Sequence, residues 1–325
     1  MSVVYKRISG KEEKTESSIL QLLAYFSLFQ YPLSRQEIKN FLHPCADTSR
    51  FDEALENLVT HGPVFKIEDL YLLKNDISLV LRRKEGNERA GQLLPTAMKI
   101  GRFLSTFPFV RGIGISGSLS KMYADEKSDI DFFIITKPGR VWIAWAFMHL
   151  FKKLTFLTGD QNLYCMNYYI DEKTLTLKDQ DIYTAMETFT LIPVSGKAIS
   201  DFFAANGWVN KWFVNYGAKQ REQYDKKGIS VPKKMIEWLF NHKLGDRLDT
   251  FLMKTTSRRW QKKKERNMLN LAGREVCLLT DKHSARSNPG MFREKLLALY
   301  EEKITEIKYR WPEFFQDAYP NTGII

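Results

Sequence analysis

The stretch from Gly112 to Thr136 constrains this chain more than any other. It opens with a short apolar run, Ile113-Gly114-Ile115-Ser116, and closes with a second, Phe132-Phe133-Ile134-Ile135. Short runs rich in β-branched and aromatic residues, bounded by turn residues, read as buried strands. The interval between them is polar. It starts with Gly117-Ser118, a tight turn where the backbone can approach a ligand closely, and continues as a helical turn from Leu119. The second strand is entered through Ser128-Asp129-Ile130-Asp131. Residues i and i+2 of a strand share a face, so Asp129 and Asp131 project together while Ile130 and Phe132 turn into the core. Two carboxylates side by side repel unless a cation stands between them. Mg2+ takes oxygen ligands, commonly one or two carboxylates plus substrate phosphates. Amides at the Gly117-Ser118 turn suit an anion; Ser118 adds a hydroxyl donor and Lys121 a charge. A phosphate turn beside a carboxylate pair is what metal-assisted nucleotidyl transfer requires.

This ordered combination resembles the signature of the polymerase β-type nucleotidyltransferase superfamily: Gly117-Ser118, then the ten residues 119–128, then Asp129-Ile130-Asp131. The resemblance implies an α+β fold, with a small mixed sheet flanked by helices. It implies that Gly117 and Ser118 hold a nucleoside triphosphate, ATP for example, and that Asp129 and Asp131 bind two divalent metals, Mg2+ or Mn2+. One metal would activate an acceptor hydroxyl, and the other would neutralise the triphosphate and the leaving pyrophosphate. The superfamily usually carries a third carboxylate on a later strand. Here that strand is Leu163–Ile170, whose alternation places Cys165, Asn167 and Tyr169 on one face. Its central residue, Asn167, can coordinate a metal through its carbonyl oxygen but cannot act as a base. Asp171 at the strand end and Glu187 on the next helix are the substitutes. The stretch from the N-terminal helices to Cys165-Met166-Asn167-Tyr168 also resembles a group of bacterial nucleotidyltransferase-domain proteins, which implies a fold but no substrate.

Around this centre the chain reads as a polar tail (1–15), a winged-helix-like domain (16–75), a helical linker (76–110), the nucleotidyltransferase domain (111–200) and a helical, basic C-terminal domain (201–325). In the N-terminal domain Ser34 caps a helix with Glu37 three residues on, Phe51 to Thr60 is amphipathic, and Val64–Ile67 with Leu70–Leu73 reads as a hairpin. The Phe51–Thr60 helix carries Asp52, Glu53 and Glu56. Since phosphate contacts supply most DNA affinity, it makes a poor recognition helix.

The net charge of +11 is concentrated: Lys211 to Arg266 holds 16 Lys or Arg against 6 Asp or Glu. Such a stretch favours a polyanion, nucleic acid or nucleotide phosphate, or else is a solvated helical face. Trp238 and Trp260 within it either stack on bases or anchor helices against the core, the commoner use. Lys197, after Ser195-Gly196, is a further phosphate contact or simply the first residue of a helix. Asp281 to Pro289 reads as a loop that could line the acceptor cleft through His283 and Arg286. The three cysteines, Cys45, Cys165 and Cys277, form no CxxC pair and read as reduced thiols. No signal-peptide core and no apolar stretch of about 20 residues is present, so a cytoplasmic protein without a membrane partner is expected. The acceptor stays open between a small molecule, a protein and an RNA end. A nucleotide-sensing regulator, or a toxin–antitoxin-type interaction protein with weak turnover, is the alternative.

Overall fold

In the computed structural model, which describes residues 15–44, 46–154, 164–219, 231–265, 276–289 and 292–315, the chain divides into two units, each discontinuous in sequence. One comprises Met1–Arg83, Asn210–Asn215 and Leu296–Ile325; the other comprises Lys84–Val209 and Tyr216–Lys295. The tail before Thr15, Cys45, and the side chains of Asn167 and Cys277 lie outside what is described.

The first unit opens with α1 (Thr15–Ser27), β1 (Leu33–Ser34), α2 (Arg35–Asn40), α3 (Phe51–Thr60), β2 (Phe65–Ile67) and β3 (Leu70–Leu72). The capping box expected at Ser34 is present. The Ser34 hydroxyl accepts from the Glu37 amide, and the Glu37 carboxylate accepts from the Ser34 amide at 2.7 Å. The strands form an antiparallel sheet in the order β1-β3-β2. Arg83, on α4 (Ile77–Leu104), locks this arrangement. Its guanidinium lies 4.6 Å over the Tyr31 ring, pairs with Glu37 at 2.8 Å and donates to the Pro32 carbonyl. The acidic residues of α3, Asp52, Glu53 and Glu56, face solvent.

The second unit contains the rest of α4, β4 (Val110–Ser116), β5 (Ile130–Thr136), α5 (Val141–Leu154), β6 (Tyr164–Asp171), α6 (Ile182–Thr190), β7 (Ile192–Ser195), α7 (Lys197–Ala205), a short α8 (Tyr216–Lys219), α9 (Val231–Phe240), α10 (Lys243–Glu265), β8 (Val276–Thr280), β9 (Ser284–Pro289) and the start of α11 (Phe292–Arg310). Its six strands follow the order β7-β4-β5-β6-β9-β8. Among the described strands only β5 and β6 run parallel, and α5 lies in the connection such a pair needs. The fold is α+β, and its sheet is mixed. Ile113, Ile115, Ile130, Phe132 and Ile134 face one side and pack with Ala90 and Ala97 of α4 and Trp142 of α5. Phe133 faces the other side and meets Phe202 of α7 at 4.7 Å between ring centroids.

Residues 201–325 are therefore not one helical domain. β8 and β9 complete the sheet, and the chain from Leu296 onward belongs to the first unit. The sequence of β9, Ser-Ala-Arg-Ser-Asn-Pro, shows no apolar alternation and reads as a loop. It is a strand because β6 and β8 offer it partners on both edges; strand formation depends on such context more than on propensity. No helix among the described residues is long and apolar enough to cross a membrane.

Candidate functional site

The site forms where β4 ends and β5 begins. Antiparallel pairing sets Ser116 opposite Asp131. The chain then turns through Gly117, at φ +70°, and a Cβ on this residue would lie 2.3 Å from Oδ2 of Asp131. Glycine is required twice over, once for the backbone angle and once because the carboxylate occupies the space beside it. The Gly117 carbonyl accepts from Ser120 Oγ at 2.8 Å and from Lys121 Nζ at 3.1 Å. The Ser118 carbonyl closes the turn by accepting the amides of Lys121 and Tyr123, and the Ser118 side chain is exposed. The far end of the loop is docked on α4. The Ala124 amide donates to the Gly86 carbonyl, and a Cβ at Gly86 would sit 2.2 Å from the Tyr123 ring. A glycine inside a helix ordinarily weakens it; here its bare surface seats the aromatic ring that fixes the loop.

Asp129, Asp131 and Cys165 each present a ligand atom, and these atoms lie within 4.8 Å of one another. Cys165 stands opposite Asp131 in the β5–β6 register. Its thiol is pushed above the ordinary range by burial first, then by the charges of Asp131 and Asp129, and it hydrogen-bonds to Asp129. The thiol is therefore kept protonated beside two carboxylates. Burial likewise pushes the Tyr183 hydroxyl well up, and Glu187, Tyr168 and Asp131 add to the rise.

The expected alternation of Cys165, Asn167 and Tyr169 is broken. The register slips between the pairs Asp131–Cys165 and Phe133–Tyr168, so β6 spends one extra residue there, a bulge of the kind enriched beside functional sites. Tyr168 then shares the Asp131 face, stacking near Phe133 at 5.2 Å, while Tyr169 turns into the opposite core. Alternation of side chains cannot reveal such a slip, and the residue brought to the carboxylates is Cys165. Asp171 is not a third acid for this centre. It lies opposite Thr136, five positions along β5 from Asp131, or roughly 16 Å at strand spacing. Fully buried, it accepts from the Gly139 and Lys173 amides and pairs with His283 Nδ1 at 2.7 Å. Glu187 is taken by Lys121, at 2.7 Å.

Two expected phosphate contacts are placed differently. Lys121 is spent on Glu187 and the Gly117 carbonyl, tying the turn to α6. Lys197 begins α7 beside Gly112, at the opposite end of β4 from the turn, and pairs with Asp201 in solvent. The cation that does reach the Asp131 face of the sheet is Arg286 on β9. It pairs in register with Tyr168 and lies 4.6 Å over that ring, and its buried Nε has no hydrogen-bond partner among the described residues. Trp260 packs against Trp142 and Trp145, whereas Trp238 is 74% exposed and anchors nothing.

No protein-family model, no curated protein and no solved structure matches the chain.

Proposed function

We propose that this chain is a metal-dependent nucleotidyltransferase of the polymerase β type, moving a nucleoside monophosphate from a triphosphate to an acceptor hydroxyl and releasing pyrophosphate. The observation that carries the reading is the seating of Gly117 against Asp131, which joins the turn and the carboxylate pair into one unit. The mixed sheet and the order strand, Gly-Ser turn, carboxylates, strand support the nucleotidyltransferase fold. Three helices with the sheet β1-β3-β2 support a winged-helix reading of the first unit.

The donor set fits a divalent cation. Asp129 and Asp131 supply hard oxygens suited to Mg2+ or Mn2+, and the Cys165 thiol lies beside them. A bound cation would offset phosphate charge and acidify the acceptor hydroxyl. The residues of the chain do the rest. The Gly117-Ser118 turn receives the triphosphate, with the exposed Ser118 hydroxyl as donor. Arg286, over Tyr168 on the same face, adds positive charge that favours a phosphate. The acceptor oxygen bonds to the α-phosphorus, the bond from that phosphorus to the bridging oxygen breaks, and pyrophosphate leaves with its electron pair. The acceptor proton passes to a carboxylate of the pair.

A second reading, a nucleotide-sensing protein with little turnover, is favoured by Cys165 occupying the place opposite Asp131 where an acid would complete the centre. One experiment separates them: thermal stabilisation by each NTP with Mg2+ or Mn2+, run beside pyrophosphate release, on wild type and Asp129→Ala/Asp131→Ala. Stabilisation and release that both vanish in the double variant support the transferase. Metal-dependent stabilisation without release supports the sensor, and neither signal sinks both.

A further inference from the structure

Helix α9 is mounted inside out. Its charged residues Lys233 and Glu237 face the protein. Lys233 Nζ donates to the carbonyls of Ser105 and Val110 at 2.8 Å each, and Glu237 takes two hydrogen bonds from Arg111 at 2.9 Å and one from the Phe109 amide. The opposite side carries Val231, Met235, Trp238 and Leu239, and all four lie between 51% and 74% exposed. At 100° per residue these four fall within a single stripe about 100° wide, the width of a face made for burial. The next helix continues the theme with exposed Leu244 and Phe251. Lys234 borders the α9 stripe, and Lys243, Arg247 and Lys254 are exposed on α10.

An isolated exposed apolar residue needs no explanation, but a contiguous stripe does. The orientation of α9 is not a packing accident, because five hydrogen bonds from its charged side fix it. What covers the stripe must accept aliphatic side chains and bring negative charge. A second copy of the chain would set the same cations face to face. A nucleic acid would find two exposed rings, Trp238 on α9 and Phe251 on α10, set among four apolar side chains, Val231, Met235, Leu239 and Leu244, that neither stack nor hydrogen-bond. An anionic lipid surface satisfies both halves: Trp and aliphatic residues enter the boundary of headgroup and acyl chain, and Lys and Arg meet the phosphates. That no helix among the described residues can span a membrane has no bearing here, since a helix lying in the interface does not need to span.

We propose that α9, with the opening turns of α10, is a peripheral docking surface for anionic phospholipid. The test is co-sedimentation of the full chain with vesicles of phosphatidylcholine alone and of phosphatidylcholine with phosphatidylserine, at low and high salt. Wild type should sediment with the anionic vesicles, at least tenfold less with neutral ones, and less at high salt. Met235→Ser/Trp238→Ser should lower binding at least tenfold. Both side chains are in solvent, so the variant should keep the circular dichroism and melting temperature of wild type. Lys234→Glu gives an independent arm and should weaken binding through charge alone. Failure to bind anionic vesicles overturns the proposal. So does binding that the serine variant leaves unchanged. A dimer in light scattering that the serine variant dissolves assigns the stripe to a second copy, and retention of a single-stranded oligonucleotide that vesicles cannot displace assigns it to nucleic acid. Both of those results also overturn the proposal.

Discussion

At the scale of single residues, Gly117 decides most. Alanine there must adopt a left-handed backbone angle, costing about 1–2 kcal/mol, and must displace the Asp131 carboxylate from the space its Cβ would fill. Gly117→Ala should therefore weaken Mn2+ binding at least tenfold, measured by calorimetric titration, while far-ultraviolet circular dichroism stays that of wild type. Unchanged metal affinity would separate the turn from the carboxylates. Much of this pair was legible beforehand. The dipeptide Gly117-Ser118 and the alternation at Asp129 and Asp131 follow from local chemistry, and the structure sets them together. Alternation set Cys165 on the site face of its strand, but its pairing with Asp131 and the slip that follows it were not legible, because the register between strands leaves no mark in the pattern of apolar residues. Nor was Gly86, whose role depends on Tyr123, a residue that comes to rest on α4 only in the folded chain. Arg286 was noticed but read as part of a loop.

At the scale of elements, α5 shows how a helix can depend on a distant segment. The amides of Trp142 and Ile143 in its first turn donate to Asp249 Oδ1 at 2.9 and 3.0 Å, in the second turn of α10. Asp249 is buried, so Asp249→Ala leaves two buried amides unpaired and should cost about 1–3 kcal/mol, read from urea unfolding. A shift within error would show that water replaces the carboxylate at no cost. The same helix carries His149, stacked on Trp145 at 3.8 Å. Burial, helped by Lys152 and Lys153, lowers its pKa from 6.5 to about 4, against the Trp145 carbonyl that raises it. Its contribution to stability is present above pH 6.5 and is lost as pH falls through about 4. Asp249 has the opposite sign. Burial, opposed by the amides it caps, pushes its carboxyl up from 3.8 to about 6, so its contribution is present below 3.8 and lost as pH rises through about 6. The two offset one another across the acidic range. His149→Phe keeps a ring on Trp145 and removes one side of that balance. Relative to wild type it should gain stability at about pH 4.5 and lose that gain by about pH 7.5. A difference that is flat with pH would mean that His149 titrates normally. The bounds of α3 follow from its apolar spacing, whereas α9 defeats it: periodicity identifies an apolar stripe and does not say that the other side will be chosen for burial.

At the scale of the whole chain, residues 201–325 do not form the single helical, basic domain that the sequence suggests. The second unit takes its outer strands from 276–289, and α10 packs on α5; the first unit recovers Leu296, Tyr300 and Ile307 from α11. A fragment ending at residue 205 should therefore lack a cooperative unfolding transition in urea and expose hydrophobic surface to dye. A sharp transition in that fragment would restore the linear division. Charge and composition could not show this, because the returning segments are polar on average and only their partners make them structural.

The cap on α5 carries one more consequence. Amide protons in the opening turn of a helix are ordinarily among the first surrendered to solvent, since no preceding carbonyl receives them. Those of Trp142 and Ile143 are held by a side chain more than a hundred positions downstream. Their deuterium uptake therefore tracks the lifting of α10 and not the fraying of α5, and two ordinary backbone protons become a clock for the detachment of a distant helix.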